Sequence, residues 1–352
     1  MGDGDNVLLV GSIPLDTVED VFLTFGPKLA SHLDTLPDGE VGPRKHWISR
    51  VHYQVLAGHQ ELDVVRHPQH EDGVERLNPR NAQDSWQFRV KPGIDKVSFG
   101  DPGWRLGYAR DAVNSYFVFK TLREQGKLRE GLRFQVSLPS VNSALPPRIF
   151  PDIADVAKIW PGYQDALGAE IDKIVEKIPN EDLAIQFDCA NEVQDVYGAV
   201  PGFSADDAIE RNVAQFRDLA ARIPEAVALG YHFCFGTLGG WPRFQPDDLS
   251  ATVALANATI EASKRRVDWI HIPVLDGVSE SFFAPLKDLK PRDARVYLGV
   301  IHNMDGFAER VAMAREYLPD FGLAAYCGFG RLPASEIPKV LDEHLQAIKQ
   351  AG

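Results

Sequence analysis

The chain has 352 residues, 44% of them hydrophobic and 25% charged, an ordinary globular composition that buries a large core without disulfides or metals. Asp and Glu number 50 against 37 Lys and Arg, and the resulting net charge of −13 argues against nucleic-acid binding and against docking on an anionic membrane. No apolar run is long enough to span a bilayer, and three cysteines make no disulfide framework, so a cytoplasmic protein with reduced thiols is expected.

The first residues, Met1-Gly-Asp-Gly-Asp-Asn, lack a basic segment and lead straight into an apolar run, so no signal peptide is expected. That run, 7–11, ends at Ser12 and is followed by a helical pattern over 16–32. A second run, 33–37, ends in Asp38-Gly39-Glu40. The segment 41–132 then interrupts the rhythm; it holds Trp47, Trp86 and Trp104 and a predicted helix over 108–125. Connections of this length are uncommon unless functional, and this one reads as an insertion covering a mouth. Half of the ten histidines, His46, His52, His59, His67 and His70, fall in it. Their spacing fits no metal site, and a solvated irregular loop is expected there.

The alternation resumes with a run at 133–138, which brings Ser137 and Ser140, and a helix over 153–178. The run 183–188 ends in Asp188-Cys189-Ala190-Asn191-Glu192, and the helix over 205–223 is expected to start with Ser204 as cap and Asp206 and Asp207 in its first turn. The run 227–235 carries His232 and Cys234, and a helix follows over 247–265. The run 267–274 carries His271; the run 295–301 ends at His302 and precedes a helix over 307–318. The last run, 322–327, ends at Cys327 before a helix over 334–349. Strands each followed by a helix, repeated to this length, predict one (β/α)8 TIM barrel over 1–352, with the 41–132 insertion after the second strand. A doubly wound sheet would want a glycine-rich phosphate turn after its first strand, which Val10-Gly-Ser-Ile-Pro14 lacks.

In such barrels the chemistry sits at the C-terminal ends of the strands. His232 and Cys234 lie two residues apart on one strand and so share a face. Cys327, ending the last strand, converges with them across the mouth. One imidazole nitrogen and two sulfurs suit zinc. The competing reading is that a cysteine in a buried strand is a small hydrophobe.

The ordered set Val-Gly-Ser12-Ile-Pro, Asp38-Gly-Glu40, Ile-Gln-Phe-Asp188, His232-x-Cys234 and Cys327-Gly resembles the catalytic barrel of cobalamin-independent methionine synthase. The wider superfamily includes uroporphyrinogen decarboxylase and epoxyalkane:coenzyme M transferase. The resemblance implies zinc held by His232, Cys234 and Cys327 and binding a substrate thiol. It also implies that Ser12, Glu40 and Asp188 bind the rest of that substrate. The chain departs from the family where a glutamate ligand should end the sixth strand: Pro273 stands there. His271, on the same face, or Asp276 is then the candidate fourth ligand. Asp188-Cys-Ala replaces the family's Asp-Glu-Pro, and Pro43 displaces the usual arginine to Arg44. The amino-acid pocket is therefore expected to be remodelled.

The function implied is a zinc-dependent alkyl or methyl transferase that activates a thiol as a zinc-bound thiolate. His302 is the candidate acid for the leaving group, with Asp188 and Glu40 as further acid–base or ammonium-binding groups. Asp38 and Trp47 join the substrate-binding set, and the aromatic residues Trp47, Trp104, Trp241 and Phe244 suit a bulky or apolar partner. The alternative is a metal-free decarboxylase or lyase of the uroporphyrinogen decarboxylase type, using Asp38, Asp188 and an arginine. The expected partners are a small-molecule thiol and an alkyl donor, without nucleic acid or membrane, and with a homo-oligomer left open.

Overall fold

All eight apolar runs become parallel strands of one sheet, with the order β1-β10-β9-β8-β7-β6-β5-β2. The computed structural model describes residues 6–69, 77–100 and 103–351, with the side chains of Pro43 and Trp47 outside the described set. The strands are β1 (Val7–Leu8), β2 (Thr35–Pro37), β5 (Arg133–Pro139), β6 (Leu183–Cys189), β7 (Ala228–Phe233), β8 (Trp269–Pro273), β9 (Arg295–Ile301) and β10 (Gly322–Ala325). Between them in the chain, β3 (Leu62–Arg66) and β4 (Gln87–Val90) form a separate antiparallel ribbon. The end strands β1 and β2 meet where Ile13 N–H donates to the Gly39 carbonyl at 2.7 Å. The Gln135 side-chain amide also donates to the Leu9 and Val10 carbonyls, each at 3.2 Å. The sheet is thus a nearly closed (β/α)8 barrel.

The longer helices arise from the expected amphipathic stretches, and three short ones, over 47–51, 141–144 and 191–196, arise outside them. They are α1 (Val18–Leu29), α2 (Trp47–Val51), α3 (Tyr108–Glu124), α4 (Val141–Ala144), α5 (Ala154–Lys177), α6 (Asn191–Val196), α7 (Ala208–Ala221), α8 (Ser250–Ser263), α9 (Phe307–Arg315) and α10 (Ile337–Ala351). Among the described residues no helix is long and apolar enough to cross a membrane. Thr17 caps α1, its hydroxyl accepting from Asp20 N–H. The cap expected of Ser204 fails. Its hydroxyl accepts from Asp206 N–H, and α7 begins further on, behind Asp207, which makes no side-chain cap bond.

The segment 41–132 divides in two. Its helix α3 packs between α1 and α5 on the outside of the barrel, where Phe22, Tyr116, Phe119 and Phe134 interlock edge-on and tilted. Residues before it supply α2 and the β3–β4 ribbon. The solvated loop expected around the histidines holds at His67, which is exposed in an irregular stretch, but not at His52 or His59. His52 is buried and holds the Ala144 carbonyl at 2.9 Å, and His59 holds the Ser98 carbonyl at 2.9 Å. Burial lowers the His52 pKa to about 4, which keeps the ring neutral. His52 ties the segment to the barrel, whereas His59 braces the segment internally; His70 lies outside the described residues.

Inside the barrel the lowest layer is Leu8, Ala184, Ala228, Trp269, Tyr297 and Ala324. The Trp269 and Tyr297 rings among three alanines fill a space that several medium side chains would otherwise share. Gly230 makes this possible, because a Cβ there would lie 1.9 Å from the Trp269 ring. Above the indole comes a polar layer. Trp269 Nε1 donates to Gln186 Oε1 at 3.2 Å, Gln186 Nε2 donates to the Val10 carbonyl at 2.7 Å, and Thr35 donates to Gln135 Oε1 at 2.6 Å.

Gly230→Ala is expected to destabilise the fold by about 1–3 kcal/mol or more through overpacking. Chemical denaturation should find part of that loss restored when Trp269→Phe is added. Equal stability of Gly230→Ala and the parent would show that the indole is free to move aside.

Candidate metal centre at the barrel mouth

The strand register builds the site. Asp188 on β6 pairs with His232 on β7, and His232 pairs with His271 on β8, so three inward-facing polar residues stand in one row. His271 is fully buried. Its Nε2 lies 3.0 Å from the Ala325 carbonyl and its Nδ1 lies 2.6 Å from His232 Nδ1. A carbonyl only accepts, so His271 Nε2 carries the hydrogen. His271 Nδ1 then accepts from His232 Nδ1–H, and a neutral His232 is left with its Nε2 lone pair toward Cys327. Burial and the neighbouring His232 lower the His271 pKa well below the usual range, which agrees with a neutral ring.

Cys234 Sγ lies 3.5 Å from Cys327 Sγ, and Cys327 Sγ lies 3.7 Å from His232 Nε2. The three donor atoms all lie within 4.8 Å of one another. Ligands at about 2.0–2.3 Å from one tetrahedral ion have that mutual spacing, so the donor set fits zinc in both chemistry and size. The Cys234 thiol aimed at Cys327 holds the Cys327 thiol well below the usual range. The same contact and burial push Cys234 up, so a lone thiolate of the pair belongs to Cys327. A register shift on β10 between Leu323 and Ala325 re-aims the chain before Cys327. After it, Gly328 and Gly330 let the chain press onto Ser12: a Cβ on either would come within 3 Å of a Ser12 atom, and Phe329 N–H donates to the Ser12 carbonyl at 2.6 Å.

The cluster opens into a cavity of about 250 Å³ that Ser12, Asp188, Trp241 and Tyr326 also line, with Lys45, His46, Ile48 and Ser49 contributed by the 41–132 segment. Asp188 Oδ1 accepts from Gln186 Nε2 at 2.7 Å. Burial, and then the neighbouring Glu40, raise the Asp188 pKa well above the usual carboxylate range. Glu40 sits in the left-handed region at φ 50°, held there by Asp38 Oδ1, which accepts Glu40 N–H at 2.9 Å. Its carboxyl accepts from the Ser12 hydroxyl, yet Oε2 is buried without a partner. Burial and then Asp38 raise its pKa to about 8 despite Arg44, Ser12 and Arg50.

The structure thus brings Ser12, Asp188, His232, Cys234 and Cys327 to one cavity, with His271 behind His232. Glu40 and Asp38 line a smaller cavity on the other side of Ser12, and the ion pair to Arg44, at 2.6 Å, falls on Asp38 rather than on Glu40 or Asp188. His302 is not brought to the cluster. Its Nε2 lies 2.7 Å from the Val274 carbonyl, its ring stacks on Tyr326, and burial lowers its pKa to about 4. Asp276 pairs with Arg310 at 2.8 Å. Trp47 begins α2, and its side chain lies outside the described residues. Trp104 is 40% exposed, whereas Trp241 stacks on Tyr326 at the cavity wall. Sequence reasoning passed over Gln186, although a glutamine inside the apolar run 183–188 is a signal of a polar interior layer.

No protein-family model matches the chain, and no curated protein sequence matches it. Among solved structures it resembles a B12-independent methionine synthase from Shewanella sp. W3-18-1 in complex with selenomethionine. The TM-score is 0.60 at 14% identity, covering 97% of this chain and 96% of that one. A GH18 chitinase from Pseudoalteromonas aurantia aligns over 96% of this chain and 99% of its own at 10% identity, with a TM-score of 0.39, too low to argue from. The first likeness shows a shared barrel fold along the whole chain.

Proposed function

We propose that the protein is a zinc-dependent alkyl or methyl transferase acting on a small-molecule thiol. The observation that carries this reading is the His232–Cys234–Cys327 donor cluster at the end of the cavity, with the His232 lone pair oriented by His271. The fold likeness to a methionine synthase supports a methyl-transferase type of enzyme. His232, Cys234 and Cys327 would hold the ion. Zinc, when bound, lowers the pKa of a coordinated thiol so that it is a thiolate nucleophile at neutral pH.

The chain's own residues do the rest. His271 fixes the tautomer and ring orientation of His232 through one hydrogen bond and is fixed in turn by the Ala325 carbonyl. Asp188 Oδ1 is engaged by Gln186, so its proton resides on Oδ2, in a residue that lines the cavity. In this reading the leaving-group acid is Asp188, because His302 is turned away and neutral. Glu40 lines the smaller cavity with Asp38 and backs Ser12, whose hydroxyl its carboxyl accepts. The metal-free lyase reading would need Asp38 and Asp188 on one substrate, whereas they line different cavities.

Elemental analysis after reconstitution should find about one zinc per chain, lost in Cys234→Ser and in Cys327→Ser. His271→Asn should keep the stoichiometry but weaken zinc roughly 10- to 100-fold in a chelator competition. Full zinc retention by Cys234→Ser would sink the metal site, and with it the transferase reading.

Glu40 has a second signature. Its folded pKa of about 8 exceeds the ordinary 4.5, so the folded state holds the proton longer than the unfolded chain. The stability that comes with the protonated form is complete below the unfolded value and is lost as pH rises toward 8. That loss runs at up to about 1.4 kcal/mol per pH unit. Glu40→Gln should therefore flatten the fall in stability between pH 5 and 8 and melt higher than the parent at pH 8, while turnover drops. An unchanged slope would mean that Glu40 is ionised in the folded state at neutral pH.

A further inference from the structure

Two arginines of the main cavity have no use in the reading above. Arg148 and Arg243, together with Asn191 and Gln194, line both the main cavity and an adjoining one of about 290 Å³ that runs past Pro146 and Phe203. Arg148 spends its Nε on the Ser85 hydroxyl, 3.3 Å away. Arg243 is anchored by its backbone, whose N–H donates to the Phe235 and Gly236 carbonyls. Among the described residues neither guanidinium is paired with a carboxylate. Desolvation lowers both pKa values, and Arg148 is lowered further, to about 9, by its repulsion from Arg243.

Both guanidinium groups are half-buried, and partly desolvated charges are normally paired; like charges held together without a counter-ion are costly. The contrast with the rest of the molecule is sharp: the chain carries a net charge of −13, yet it has placed two unpaired cations in this cavity wall. The Asp188 carboxyl, on the same cavity, does not pair with them: its Oδ1 accepts from Gln186 Nε2 at 2.7 Å. Planar forks with free N–H groups are the side chains that grip oxyanions in two-point fashion.

We propose that Arg148 and Arg243 form an anion-binding subsite where the two cavities meet, taking a carboxylate, sulfonate or phosphate group carried by the substrate away from its reacting end. The assignment rests on the cavity being the substrate site, as read above, but not on the metal. It makes the thiol or the alkyl donor an anionic molecule, and it gives that molecule an orientation, with the charged end at the arginines and the reacting end toward Cys327.

The test is thermal unfolding of the full chain at constant ionic strength, with sodium chloride replaced stepwise by acetate, methanesulfonate, sulfate or inorganic phosphate. Sulfate and phosphate stabilise most proteins by exclusion, so the quantity read is the saturating difference between parent and variants. Arg148→Gln and Arg243→Gln should each weaken that saturating response roughly 10- to 100-fold. Each should also melt higher than the parent in chloride alone, since the mutual repulsion is relieved. The anion that saturates at the lowest concentration identifies the group. Parent and variants with the same response to all four anions would overturn the subsite, as would variants that melt no higher in chloride. Running Cys234→Ser in parallel separates the two readings. A saturating anion response there, with zinc lost, keeps the subsite whatever the metal does. Arginine variants that lose the response but keep zinc assign the loss to the subsite alone.

Discussion

Two imidazoles whose Nδ1 atoms lie 2.6 Å apart coexist only if one donates and the other accepts. The Ala325 carbonyl decides which, because it demands a hydrogen from His271 Nε2. The direction of the whole chain of hydrogen bonds follows, ending with a lone pair on His232 Nε2 beside Cys327. That ordering depends on features far apart in sequence. The β7–β8 register sets His232 opposite His271, and the irregularity on β10 leaves Ala325 with a carbonyl to offer. Trp269, two residues before His271, fills the barrel floor, and Gly230, two residues before His232, makes room for it. The same two strands therefore carry both the floor of the barrel and the head of the site.

The polar middle layer is what lets carboxyl groups exist above that floor. Gln135 and Gln186 satisfy the Leu9 and Val10 carbonyls just past β1, which a closing ladder would otherwise use, and Gln186 reaches on to Asp188. This satisfies Asp188 as an acid rather than as an anion, since a single amide donor does not offset full burial. Glu40 is in the same condition, with one oxygen on Ser12 and the other unmet. Groups held in this state destabilise the folded chain as they ionise, and a structure retains them where a ligand supplies the missing partner. The unmet Ser137 hydroxyl beside Glu40 fits the same pattern.

The alternation of apolar runs and amphipathic stretches carried the barrel, because parallel strands buried on both faces and helices buried on one face have different periods. The convergence of His232, Cys234 and Cys327 was legible for a related reason: strand ends of a closed barrel meet at one mouth whatever their separation in sequence. Partner choice was not legible. That His302 turns to the Val274 carbonyl, that Asp276 meets Arg310, and that His271 stands behind His232 depend on which of several acceptors lies within 3 Å. Strand position alone leaves that undecided. The segment 41–132 failed in another way. Its histidines have no periodicity, yet His52 pins it to the barrel through the Ala144 carbonyl and His59 braces it internally through the Ser98 carbonyl. The arginines escaped notice because Arg148 and Arg243 lie in irregular connections, where sequence gives no face.

These features give the cavity a polarity that the net charge of the chain conceals. Toward the strands it presents a protonated Asp188 and the Ser12 hydroxyl, with a neutral His271 behind His232. Toward the connections it presents Lys45, Arg148, Arg243 and Arg331. In a partly desolvated space this gradient is not screened as it would be in water, so it acts on an entering molecule through its charge distribution rather than through shape alone. A ligand with an anionic end and a soft nucleophilic or alkylated end is aligned by such a field before any specific contact forms. An apolar ligand of the same size gains the stacked wall of Trp241 and Tyr326 but leaves the arginines unpaired. The desolvation already suffered by those two guanidinium groups is thus what separates the two kinds of ligand, and it works by penalising the wrong one.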